Sequence, residues 1–469
     1  MVDEELAGQI DSYIQQNWEQ VIKDLDSLVS IESTEDLSKS QPGAPYGPGP
    51  KASLQCALDL AEKYGFEPHN CEGYIGYADW PGESEKQIAS ICHTDVVPAG
   101  PGWNYPPFQV TRDKGYLIGR GVADDKGPLI VALHALAFWR DRIERFPYTF
   151  RMIFGANEET GMHDLAYYRE RFDDPDILFT PDHQFPVGYG EKGVFQATIT
   201  SKSITDGAIE EFSGGTASNA VAGQAHAVLR AQMRDLPLPG GGITTTDKGD
   251  GRVLVEAMGI QAHAAYPQRG LNAIGLLVGY LLKSGVCSRD EMEWLDFLQH
   301  MVASTDGAFV GLASSDKDFG PLTMTCGKAR KEEDRFTQTL DIRFTTQTSA
   351  EQVEEKVASA VALIGASVHV DTMMPPFLMD VEGPFIQALL SSYRDVTGDM
   401  QEPLTSGGAT YAREFETMAA SFGMQRNGED KPAWVGDMHE ADEGAYEGDL
   451  KEALKIYIIA IQRLMELKI

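Results

Sequence analysis

The strongest constraint on the fold is an alternation. From about residue 88, short apolar runs suited to buried strands take turns with stretches of helical periodicity. Ile88–Cys92 and Thr149–Gly155 read as strands, Gly127–Arg140 and Asp164–Phe172 as helices. A chain with this rhythm covers a sheet with helices, which predicts an α/β domain. Two helices precede it. Ile10, Ile14, Trp18, Val21, Ile22 and Leu25 recur at helical spacing up to about Val29, and Ala52–Tyr64 reads as a second helix ending before Gly65. The Pro/Gly-rich stretch Gln41–Pro50 between them reads as a loop.

The texture changes after Gly193. Val194–Ser201 alternates apolar and polar residues, Gly240–Asp250 is a Gly/Thr turn region, and Arg252–Ala257 is a strand. A helix at Asn272–Ser284 follows, then a second round with the strand Thr337–Phe344 and the helix Ala350–Leu363. Two such rounds predict an inserted α+β domain at 194–382, open to internal duplication. The flanking segments 1–193 and 383–469 are expected to form one discontinuous domain. With 469 residues, 42% of them hydrophobic, the chain can bury cores of that size.

Charge and cysteine usage exclude several functions. The chain carries 39 basic and 71 acidic residues, a formal net charge of −32, which repels phosphate backbones and speaks against a nucleic-acid partner. Its acidity otherwise suits solubility or the concentration of cations. The opening MVDEELAGQI lacks the basic and apolar regions of a signal peptide. The longest apolar runs, around Leu129–Phe138 and Ile274–Leu282, fall short of the roughly 20 residues that span a bilayer. Cys56, Cys71, Cys92, Cys287 and Cys326 are scattered, with no Cys-x-x-Cys pair, so neither a disulfide framework nor a sulfur-rich zinc site is indicated. A reduced, cytoplasmic protein without a membrane partner is expected.

With little sulfur available, a transition metal would need imidazole and carboxylate ligands. His93 follows the apolar run QIASIC and sits in HTD. Residues two apart in an extended segment face the same way, so Asp95 can accept the His93 ring N–H and fix its tautomer. Alone, that pair is more often the mark of a structural histidine. GRGVADDKG, containing Asp124, places two adjacent carboxylates at the mouth of a helix, where they either face a cation or cap the helix dipole. Glu158 and Glu159 follow the strand TFRMIFGA and should diverge, so one can ligate a metal while the other acts as a base; a solvated acidic turn is the plainer reading. Asp182 in TPDHQFP and His439 in DMHEADEG add a carboxylate and an imidazole, with His183 expected at the surface. Together these groups, most of them at strand ends of an α/β sheet, could supply two metal ions with nitrogen and oxygen ligands. GYGEKG at Gly188–Gly193 fits a dinucleotide pattern but leads into strand-like VFQATIT, which removes the phosphate-cradling geometry.

HTDVVPAG, GRGVADDKGP, NEET, PDHQFPVGYGEKG, GIQAHAAYPQRGLNAI and GGATYAR occur in one order along the chain. In that order and spacing they resemble the co-catalytic di-zinc peptidases and deacylases: carnosinase-type dipeptidases, aminoacylases, acetylornithine deacetylase and succinyl-diaminopimelate desuccinylase. Within them the chain is most similar to the bacterial dipeptidase V branch. The resemblance implies two divalent metal ions, zinc with manganese or cobalt as alternatives. His93, Asp124 and Asp182 would hold one, and Asp124, Glu159 and His439 the other, with Asp124 bridging. It implies Glu158 as general base, Asp95 as the carboxylate behind the histidine, and a cis peptide between Asp124 and Asp125. It makes the inserted domain a lid supplying His263 and Asn219 to the oxyanion, with Arg343 in TLDIRF receiving a substrate carboxylate; a strand-face ion pair is the plainer reading of Arg343. The implied reaction is hydrolysis of unblocked dipeptides through a metal-bridging hydroxide, in a monomer. An N-acyl amino acid deacylase of aminoacylase or desuccinylase type is the alternative on the same scaffold. A non-catalytic metal-binding protein is a further alternative, disfavoured by the presence of Glu158.

Overall fold

Glu67–Cys71, Ile75–Trp80, Tyr148–Gly155, Ser84–His93, Ile177–Thr180 and Met418–Ser421 lie side by side in that order in the computed structural model, which describes residues 3–426 and 431–469. The four from Tyr148–Gly155 onward are mutually parallel, and the first two join antiparallel. Parallel strands are covered on both faces, so their residues are apolar in runs rather than in alternation. Ile177–Thr180 is buried throughout, as is the second half of Ser84–His93. The α/β expectation holds. Helix Lys126–Arg140 is buried from Lys126 to Trp139, which explains why its sequence is apolar on all sides. It packs with the helices Glu4–Val29 and Glu447–Met465 in one apolar core. The helix after the Pro/Gly loop begins at Pro48, inside the run read as loop, because proline is compatible with a first helical turn.

These elements belong to a unit made of Met1–Gly190, Leu378–Leu404 and Thr410–Ile469. Glu191–Phe377 and Thr405–Ala409 form a second unit. Its sheet runs in the order Ile243–Gly249, Arg252–Met258, Gln224–Arg230, Ile209–Gly214, Thr323–Glu332, Arg335–Phe344, Gly193–Thr200, Ser367–Met374, with every neighbouring pair antiparallel. Ala273–Ser284, Arg289–Ala303 and Ala350–Ala362 share an apolar core with alternate residues of these strands. Local chemistry sets the helix starts: Asn272 accepts from the Ile274 amide, and Ser288 with Glu291 and Ser349 with Gln352 form capping boxes. Six of these elements lie outside the sequence reading: the strands Ile209–Gly214, Gln224–Arg230 and Thr323–Glu332, the strand Ile243–Gly249 inside the run read as a Gly/Thr turn region, the helix Arg289–Ala303 and the strand Ser367–Met374. Arg289–Ala303 is rich in charged residues, and Ser367–Met374 is a half-exposed edge strand, so neither carries a strong apolar signal.

Candidate metal centre

In the first unit the candidate ligands sit where strands end or helices begin. His93 closes the strand Ser84–His93, Glu158 and Glu159 follow Tyr148–Gly155, and Asp182 follows Ile177–Thr180. Asp124 immediately precedes the turn into helix Lys126–Arg140, and His439 lies in the loop before Gly444–Tyr446. Parallel strands bring their carboxyl ends to one edge, which is how residues distant in sequence meet here.

They do meet. Asp124 Oδ1 lies 2.9 Å from His93 Nε2 and its Oδ2 lies 3.0 Å from His439 Nε2. Glu159 Oε2 is 3.1 Å from the same His439 nitrogen, and Asp182 Oδ2 is 3.7 Å from His93 Nε2. One carboxylate therefore faces two imidazoles, each with a second acid beside it. Ligand atoms of His93, Asp124 and Glu159 fall within 4.8 Å of one another, as do those of His93, Glu158 and Asp182. The Asp124–Asp125 peptide is cis, and His439 adopts a left-handed backbone conformation with φ of 68°.

Burial makes this cluster electrostatically unbalanced. It pushes Glu158 well above the ordinary carboxylate range, and raises Asp182 to about 7 with help from the Asp124 charge. Glu159 rises for the same two reasons. Hydrogen bonding to Asp124 and Glu159 draws His439 up to about 11, while His93 is raised by Asp124 and Asp95 in spite of its burial. Asp125 Oδ1 is buried without a partner. Packed carboxylates of this kind need positive charge, and two imidazoles plus carboxylates are a nitrogen/oxygen donor set that suits divalent cations. The residues present fit a metal centre.

The supporting contacts at Asp95 go beyond the one the sequence suggests. His93 Nδ1 donates to the Asp95 main-chain carbonyl at 3.0 Å, and the carboxylate is farther away at 3.5 Å. That carboxylate also accepts the Glu158 and Glu159 amides at 3.2 and 3.1 Å, so it holds the backbone of the base and of the ligand. The tautomer argument survives, because a carbonyl can only accept, leaving His93 Nε2 as the ligand atom. The sequence reading missed Glu443. Its Oε1 accepts the amides of Gly121, Ala123 and Asp124 at 3.0, 3.0 and 3.2 Å, and its Oε2 takes Arg120 Nη1 at 2.5 Å. Arg120 also reaches the His439 carbonyl at 3.3 Å. Both residues lie inside the motifs that carry ligands, GRGVADDKG and DMHEADEG, so their proximity in sequence to Asp124 and His439 is the signal that could have found them. Asp164, raised to about 6 by burial, accepts the Ala156 and Asn157 amides and the Tyr411 hydroxyl. His183 is half-buried, with Nδ1 buried and unpartnered, rather than lying free at the surface.

The remaining candidates lie in the second unit. Asn219 and His263 are adjacent and exposed: Ala220 pairs with His263, and the Asn219 carbonyl accepts the Ala264 amide at 2.9 Å. Arg343 is buried in the large sheet, where Asp341 holds its Nε and Nη2 at 2.7 and 2.9 Å. The ion pair that was the plainer reading of Arg343 is thus present.

The profile of peptidase family M20/M25/M40 matches residues 89–463. A Staphylococcus aureus (strain USA300) protein provisionally named a dipeptidase is 29% identical over 472 aligned residues, covering 96% of this chain and 98% of that protein. Among solved structures, human carnosine dipeptidase 1 superposes with a TM-score of 0.60 at 14% identity, covering 98% of this chain and 100% of that one. The dipeptidase Dug1p from Saccharomyces cerevisiae superposes with a TM-score of 0.59 at 14% identity, covering 98% and 99%.

Proposed function

The chain belongs to peptidase family M20/M25/M40, and from that premise we propose that it is a metal-dependent dipeptidase acting on small unblocked peptides. The observation that carries the reading is Asp124, whose two oxygens each face a different imidazole while Glu158 stands beside the cluster without belonging to either histidine contact. We assign His93, Asp124 and Asp182 to one ion and Asp124, Glu159 and His439 to the other. Zinc suits this ligand set best, although manganese and cobalt accept the same atoms. Bound there, such ions lower the pKa of a water and polarise a carbonyl.

The chain's own residues do the rest. Glu158, its pKa raised by burial, is suited to take a proton from the attacking water and pass it to the leaving amine. Asp95 keeps Glu158 and Glu159 at a fixed separation through their amides. His263 and Asn219 are assigned as donors to the oxyanion, and Arg343 as the group that receives the substrate C-terminal carboxylate. A monomeric enzyme in the cytoplasm is the setting we infer.

Turnover of a free dipeptide and its N-acetylated analogue tests the reading directly. A dipeptidase cleaves the free form much faster; the opposite preference would make the enzyme a deacylase. Glu158→Gln should lower kcat by roughly 10²–10⁴ while the protein keeps its bound metal. Unchanged turnover in that variant would reject Glu158 as the base.

A further inference from the structure

The second unit buries polar groups to which the dipeptidase reading gives no role. Along Thr323–Glu332, Arg335–Phe344 and Gly193–Thr200, the side chains of Met324, Cys326, Leu340, Ile342, Phe195 and Ala197 enter the apolar core. The residues between them point to the opposite face, because side chains alternate along a strand. There, in register, Thr323 stands opposite Arg343 and Thr325 opposite Asp341. This face is polar but not exposed: Thr323 is 6% accessible, Thr325 3% and Arg343 5%.

Most of its groups are engaged. Beyond its pair with Asp341, Arg343 donates Nη1 to the Gly407 carbonyl at 3.1 Å, and Gln196 donates to Asp341 at 2.7 Å. Those bonds still leave Arg343 one N–H on each terminal nitrogen. Lys192, also buried, donates its ammonium to the carbonyl of Pro321, two residues before Thr323. Burial lowers the Lys192 pKa; the Asp316 charge opposes that and the Arg343 charge adds to it. The two threonine hydroxyls are the exception, for both are buried with no hydrogen-bond partner. An unpaired buried hydroxyl is a cost that valine, equally suited to a strand, would avoid. Two of them, at alternate positions on one face beside a guanidinium with N–H groups in reserve, indicate a site that is satisfied only when an acceptor occupies it.

We propose that the Thr323 and Thr325 hydroxyls, together with Lys192, extend the Arg343 site and donate to the C-terminal carboxylate of the substrate. The proposal rests on the dipeptidase reading, which supplies the carboxylate. It makes recognition of the free carboxyl terminus a shared task of several donors rather than of Arg343 alone.

The test uses Thr323→Val and Thr325→Val, singly and together, in the full-length metal-loaded enzyme. Loss of each hydroxyl should raise KM for a free dipeptide about 10-fold with kcat within about twofold, as expected for a hydrogen bond to a charged group. Discrimination between the dipeptide and its C-terminal amide should narrow by the same factor. The melting temperature should hold or rise, since an unpartnered hydroxyl has been removed. Lys192→Gln should raise KM in the same direction. Unchanged KM in the double valine variant of an active enzyme would overturn the proposal and leave the dipeptidase reading intact. A lower melting temperature with KM and amide discrimination unchanged would overturn it too, by marking the hydroxyls as structural. If the wild-type enzyme turns over no free dipeptide, the dipeptidase reading fails and this proposal fails with it.

Discussion

Glu443 illustrates how much a site depends on residues that touch no substrate. Its carboxylate gathers the Gly121, Ala123 and Asp124 amides and neutralises Arg120, which is itself buried to 1% accessibility. Removing one partner of such a pair leaves the other charged and desolvated. Glu443→Gln should therefore destabilise the protein by about 3–5 kcal/mol in denaturant titrations. It should also weaken metal binding about 10- to 100-fold by isothermal titration, because the Asp124 loop loses its anchor. A variant with wild-type metal affinity would show that the loop holds its shape without Glu443. The contrast with Asp95 is instructive. Residue type and spacing pointed to that carboxylate as the histidine's partner; it lies 3.5 Å from the ring nitrogen, the Asp95 main-chain carbonyl accepts at 3.0 Å, and the same carboxylate also takes two amides.

At the level of elements, the helix Lys126–Arg140 carries the first unit's core, since no side of it meets water before Arg140. Leu133→Ala, at a fully buried position, should cost about 2–5 kcal/mol, read from the shift of a urea unfolding midpoint. The helix Glu447–Met465 is tied down differently. Burial works against ionisation of Glu447, but hydrogen bonds from Arg112 and Lys451 lower its pKa from 4.5 to about 2, and Trp18 Nε1 donates to it at 2.8 Å. A pKa lowered on folding stabilises the native state above the unfolded value, and that contribution fades as pH falls from about 4.5 toward 2. The unfolding midpoint should fall across this window, and Glu447→Gln should flatten the slope. An identical pH profile in the variant would show that Glu447 is not responsible. Helices with strong periodicity, such as Glu4–Val29, were legible from residue spacing alone. Arg289–Ala303 was not, because a charged surface face dilutes the apolar repeat, and its start is set by a capping box rather than by hydrophobicity.

For the whole molecule, the proposed metal centre would couple chemistry to folding. It gathers residues from positions 93 to 439, so ions bound to it stabilise only the folded chain. Treatment with a chelator should abolish turnover and lower the melting temperature by roughly 5–10 °C, with both recovered on adding back a divalent transition-metal ion. Lost activity with an unchanged melting temperature would mean that the ions contribute nothing to stability. Among the described residues no helix is long and apolar enough to cross a membrane, and the two longest apolar runs are buried helices. The α/β class, the family and the identity of the clustered side chains were all present in the sequence, because periodicity and motif order are properties of the chain read along its length. What lay beyond it were pairings across the chain: Glu443 against the Asp124 loop, the Asp95 carboxylate against the Glu158 and Glu159 amides, and two unpaired hydroxyls opposite the Arg343–Asp341 pair. Those depend on strand register and loop curvature, which are decided only when distant segments pack, and no local pattern encodes them.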